Sequence, residues 1–179
     1  MEKEEMKFFM KRGLACRVRV SERETDAVKI AAENLRTDLK KVFGEEQKQD
    51  AASANAEILA GTLGVSEEFD ALVGTERPVR CGLYEEDGKL RREGYVMYVQ
   101  DGRLIIAGTD RRGTVYGIYE LCGMLGVSPW YFWADVPVKE KEEFELPEDF
   151  EKADWPSVEY RGIFINDEEE LDRWVQKHM

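Results

Sequence analysis

Apolar and basic residues alternate from Cys16 to Val20, with Cys16, Val18 and Val20 set against Arg17 and Arg19, the period of a half-buried strand. The dozen residues before it mix charge with Met and Phe and read as a frayed terminus or a short extended lead. After it, Val28, Ala31, Ala32, Leu35, Leu39 and Val42 recur at helical spacing and predict one amphipathic helix ending near Gly44. Ser21 to Glu24 has the spacing of a capping box, and Thr25-Asp26 offers a second start.

The polar stretch from Glu45 to Asn55 reads as a loop. Ala56 to Ala60 predicts a short buried strand closed by Gly61, and Ser66 to Val73 a short capped helix. Pro78 to Gly88 has no clear period. Two apolar runs, Gly94 to Val99 and Arg103 to Gly108, flank Gln100-Asp101-Gly102, and Asp-Gly in that setting predicts a hairpin. Thr109 or Asp110 can cap a second helix that turns Val115, Ile118, Tyr119, Cys122 and Leu125 inward and stops at Gly126. Together these elements describe an α/β domain, a small mixed sheet with helices packed on it.

Beyond Gly126 the pattern changes. Ser128 to Pro137 is densely aromatic, and Lys139 to Asp154 is charged, with Phe144 and Leu146 as apolar anchors. The charged segment reads as a linker or an edge strand that wraps the domain, so the first unit is set at residues 1–154. Trp155 to Ile165 predicts one more strand, running into Asn166 to Glu170 and a helix start with Leu171 and Trp174. A strand followed by so little chain predicts either truncation of a second unit, residues 155–179, or pairing with another molecule, including a second copy.

Composition narrows the chemistry. A hydrophobic share of 42% is enough for a real core, and a net charge of -12 disfavours nucleic acid and anionic membranes as partners. No apolar run has the length of a signal peptide or a membrane span, which makes cytoplasm the expected location. Cys16, Cys81 and Cys122 form no Cys-x-x-Cys pair, and the one histidine, His178, excludes a Ser-His-Asp triad and multi-histidine metal sites within the chain. No metal or cofactor is expected.

Three segments are left as candidates. Asn166 and Asp167 with Glu168 to Glu170 read as a helix start, with charges that offset the helix dipole, or as ligand contacts at the carboxyl end of a strand. Thr109 to Thr114 reads as an Asp cap rather than an anion site; it contains no phosphate-loop pattern. Trp130, Tyr131 and Trp133 could stack on sugars, but consecutive aromatics point in several directions, which favours a core or a domain interface.

Three blocks, Ile106 to Tyr119, Gly126 to Pro137 and Pro156 to Glu169, resemble glycoside hydrolase family 115, the xylan α-1,2-glucuronidases, and Ile58 to Gly64 follows the same pattern more loosely. The resemblance implies an α/β accessory domain preceding a TIM barrel whose first strand is Tyr160 to Ile165. It also implies inverting removal of (4-O-methyl)glucuronic acid from xylan side chains, with the catalytic acid and base outside this chain. Asn166 and Asp167 then become substrate contacts, the rest of the barrel becomes the partner, and the isolated chain is expected to hydrolyse nothing. The chain departs from the family pattern at Cys122-Gly123, where members commonly carry Ser-Glu, and at Glu170, where a proline is expected. A stand-alone carbohydrate-binding or interaction module is the rival reading, and a homologue without activity, kept for its domain interface, is a third.

Overall fold

In the computed structural model, residues 6–44 and 54–162 are described. Strand β1 (Phe8–Lys11) precedes β2 (Cys16–Arg19), helix α1 (Asp26–Phe43) and β3 (Ala56–Thr62). Two short helices, α2 (Glu67–Val73) and α3 (Glu76–Arg80), lead to the hairpin β4 (Tyr95–Gln100) and β5 (Arg103–Gly108). Helices α4 (Arg111–Leu125) and α5 (Trp130–Ala134) and strands β6 (Glu143–Leu146) and β7 (Glu151–Asp154) follow. This is the mixed α/β architecture expected.

The main sheet runs β2-β3-β5-β4-β7, with β2, β3 and β5 parallel and β4 antiparallel to both its neighbours. Both faces are covered, so the central strands are buried along their length instead of alternating with solvent. Leu35, Leu39, Ile118 and Leu121 from α1 and α4 pack on Ile58, Met97, Leu104 and Ile106. On the opposite face, Val73 and Leu83 pack on Leu59, Tyr98 and Ile105, with Phe69 and Leu72 of α2 against them. The hairpin turn has Asp101 at φ 52° and Gly102 at φ 71°, the left-handed pair that matches strand twist.

Several expectations need correction. Of the two alternatives for the lead, the extended one holds over Phe8–Lys11 and the frayed one does not: β1 pairs antiparallel with β6, Phe8 opposite Leu146, and buries Phe8 and Met10. For the charged segment after residue 138 the edge-strand alternative holds, with two strands instead of one: β6 pairs with β1, and β7 extends the main sheet through β4. Gly61 does not close β3; the strand continues to Thr62, and the Phe69 ring occupies the space a Cβ would take. Glu24 does not cap α1. It is buried and accepts hydrogen bonds from the Thr62 backbone N–H (2.6 Å) and hydroxyl (3.0 Å). Residues 155–162 carry no strand pairing, and the remainder of the strand expected to Ile165 lies outside the described residues.

Candidate functional site

Two surfaces concentrate functional groups. The first lies where β3 and β5 end and α4 begins, the edge at which open α/β sheets commonly bind ligands. Asp110 caps α4 as expected: one carboxylate oxygen accepts from Gly113 N (2.9 Å), the other from Glu93 N (2.8 Å). The helix start crosses the beginning of β4 so closely that a Cβ on Gly113 would lie 2.0 Å from the Gly94 carbonyl oxygen, which leaves room only for glycine. Thr114, fully buried, shares a hydrogen bond with Thr62 (2.7 Å) and thereby extends the Glu24 network beneath this edge.

Glu93 is the centre of this edge. It sits at φ 59°, a left-handed conformation unusual for a residue with a side chain, and is only 5% exposed. Its carboxylate accepts from Arg112 (2.7 Å) and from Arg161, whose guanidinium also donates to the Tyr116 hydroxyl (3.2 Å). Arg161, and secondly Arg112, hold the Glu93 carboxyl below its usual pKa. Arg161 belongs to a strap, residues 155–162, laid over this edge. At its start the Trp155 ring lies beside Gly82, its Cβ beside Gly94, and the Arg91 guanidinium stands over the ring, 4.7 Å from the centroid. Glu159 pairs with Arg92 further along. The carboxylates here are therefore occupied: Glu24 by Thr62, Asp110 by backbone amides, Glu93 by two arginines.

The second surface is a cleft of about 740 Å³ between α1 and α4, walled by α5. Tyr116 and Tyr119 come from α4, Tyr131 from α5, and Asn34 and Lys41 from α1. The Asn34 amide donates to the Tyr119 hydroxyl (2.7 Å), which ties the two helices across the cleft. The Lys41 ammonium stands 4.2 Å from the Tyr131 ring centroid and 3.0 Å from Asp38. Cys122 lies beneath, its thiol pushed far up by burial and then by Asp38.

The candidates from sequence separate accordingly. Asn166 and Asp167 lie outside the described residues, as does the side chain of Trp133. Trp130 is 61% exposed and Tyr131 38%, so neither of these two rings is buried in the core of this domain. Sequence reasoning passed over Glu93 because nothing local marks it; its two arginines are 19 and 68 residues away. It also passed over Trp155 as a docked side chain. The only signal was the aromatic beside Pro156 at the proposed unit boundary.

Residues 10–121 match the family described as glycosyl hydrolase family 67 N-terminus. Among solved structures, a family GH115 4-O-methyl-α-glucuronidase with specificity for decorated arabinogalactans matches 90% of this chain at 36% identity, with a TM-score of 0.72. The chain spans 20% of that enzyme's length. A chitobiase from Flavobacterium johnsoniae is more distant (15% identity, 89% of this chain and 20% of its own, TM-score 0.46). So is a GH138 enzyme targeting pectin rhamnogalacturonan II (12% identity, 73% and 15%, TM-score 0.40).

Proposed function

Because this chain belongs to the glycosyl hydrolase family 67 N-terminus family, we propose that it serves as the accessory domain of an α-glucuronidase of the family 115 type. The observation that carries the reading is the 36% identity to a 4-O-methyl-α-glucuronidase across 90% of this chain. The parent enzyme removes (4-O-methyl)glucuronic acid from a glycan, with glucuronoxylan and acid-decorated arabinogalactan as the substrate classes to compare. Inversion needs an acid and a base about 6.5–9.5 Å apart with water between them. Those groups are assigned to a catalytic barrel elsewhere in the parent, and residues 1–179 alone turn over nothing. In support, the carboxylates at the β3/β5 edge are committed to hydrogen bonds from Thr62, to capping and to ion pairs.

Within this reading the strap is the physical link between accessory and catalytic units. Trp155, Glu159 and Arg161 fix its course on the domain, and the proposed substrate contacts Asn166 and Asp167 follow five and six residues after Arg161. The remainder of the barrel is the proposed partner and cytoplasm the proposed location. The test is glucuronic acid release, followed by NMR so that the anomer is seen. The parent polypeptide releases acid from at least one of the two glycans with inverted configuration, and residues 1–179 release none. Release by residues 1–179, or none by the parent on either glycan, overturns the proposal.

A further inference from the structure

The cleft between α1 and α4 shares Tyr116 with the strap, whose Arg161 donates to the Tyr116 hydroxyl, but the rest of its lining is separate from the β3/β5 edge and has the chemistry of a ligand site. Its volume, about 740 Å³, lies within the ordinary range of small-molecule pockets, about 300–1,000 Å³. Tyr116, Tyr119 and Tyr131 supply aromatic faces, and Asn34, Thr37 and Ser128 set amide and hydroxyl groups around them. Aromatic faces suit the C–H faces of a pyranose ring, and the surrounding groups suit its equatorial hydroxyls. Trp130, on the same short helix as Tyr131 and more exposed, extends the aromatic surface beyond the cleft.

Charge selects among sugars. Asp38 is paired with Lys41, and Glu120 with Lys152, so the carboxylates lining the cleft are each neutralised by a lysine. Among the described residues lining the cleft, the cation is Lys41, already paired with Asp38, so none is left for a uronic acid, and the net charge of -12 repels one. Gly123, at the rim, has nothing within 4 Å of where a Cβ would stand, so the cleft is open at the position where the family pattern carries glutamate.

We propose that the α1–α4–α5 cleft binds a neutral pyranose chain, the undecorated backbone of the glycan, apart from the acidic side group that the parent enzyme removes. The choice of a glycan rests on the glycoside hydrolase reading; the choice of a neutral one rests on the paired charges. Backbone held here tethers the polymer to the enzyme while the side group is processed elsewhere.

The test uses residues 1–179 with amide chemical shifts as the readout and xylotetraose, a neutral galactan tetrasaccharide and free glucuronic acid as probes. At least one neutral oligosaccharide shifts Tyr116, Tyr119, Gly123 and Tyr131 saturably, whereas glucuronic acid does not. Gly123→Glu puts a side chain, whose Cβ has no atom within 4 Å, and a negative charge into the opening, and weakens binding by roughly tenfold or more; Tyr119→Ala weakens it similarly by removing an aromatic ring. No saturable shift with either oligosaccharide, or equal binding by Gly123→Glu, overturns the proposal. Concentration-dependent changes at these residues without sugar also overturn it, since a second copy then fills the cleft. Binding is scored on this chain whether or not the parent releases glucuronic acid, so the two readings fail separately.

Discussion

Replacing Asp110 by alanine removes two hydrogen bonds from one carboxylate, because its oxygens serve Gly113 N at 2.9 Å and Glu93 N at 2.8 Å. Loss of the N-cap costs about 1 kcal/mol, with a range of about 0.5–2. Glu93 is buried, and its amide left without an acceptor adds about 1–3 kcal/mol. The expected loss is therefore about 2–4 kcal/mol, or roughly 4–16 °C in Tm for a domain of this size. Asp110→Asn separates the two parts. Its carbonyl still accepts from Gly113 N, but its amide turns a donor toward the Glu93 donor, so its stability falls between wild type and alanine. Urea unfolding followed by far-UV circular dichroism measures both, with an unchanged m value marking a change in stability alone. Asp110→Ala within about 0.5 kcal/mol of wild type refutes the double role, because surface changes away from such features stay within that range. So does Asp110→Asn matching wild type.

Glu93→Gln loosens the strap, seen as faster amide exchange in residues 155–162 at pH 7. Since the Glu93 carboxyl is held below its ordinary value of 4.5, the pairing is full above that value and is lost as pH falls through the lower folded one; strap protection should fall in acid in wild type and stay flat in Glu93→Gln. Tyr98→Phe removes a buried hydroxyl that has no hydrogen-bond partner among the described residues, so it should leave stability unchanged or raise it by up to about 1–2 kcal/mol in urea unfolding; a loss shows that the hydroxyl is satisfied. Thiol titration with a disulfide reagent at pH 8 should label Cys81 slowly, its pKa pushed up to about 11 by burial and the nearby Glu151, and Cys122 only upon unfolding. Gly113→Ala should be among the most damaging single changes, as its methyl runs into the Gly94 carbonyl; an intact Tm removes the close approach.

Features with local causes were legible in the sequence. The stripe of α1, the Asp-Gly turn between β4 and β5, the Asp110 cap and the Gly126 stop each follow from a few neighbouring residues. The misreadings share a different cause. Glu24 has the spacing of a cap, but two donors on Thr62, 38 residues on, draw it inward. Helix α3 is five residues long with Pro78 inside it, too short for any period to show. Strand β1 becomes a strand only through β6, 138 residues away at the Phe8–Leu146 pair. Glu93 is likewise defined by partners, not neighbours. The aromatic block was recognisable as unusual, whereas the cleft beside it depends on two helices meeting through Asn34 and Tyr119, which no local pattern encodes.

The β1–β6 pairing also sets a timetable for synthesis. At about 5–20 residues per second, the interval between making Phe8 and making its partner Leu146 is about 7–28 s. Throughout that interval Phe8 and Met10 have no β6 to pair with, while β2, β3 and the hairpin emerge and can begin to assemble. The first of the described strands to be made is thus among the last to be completed, and nascent chains arrested before residue 143 carry an unpaired apolar edge for chaperones to cover.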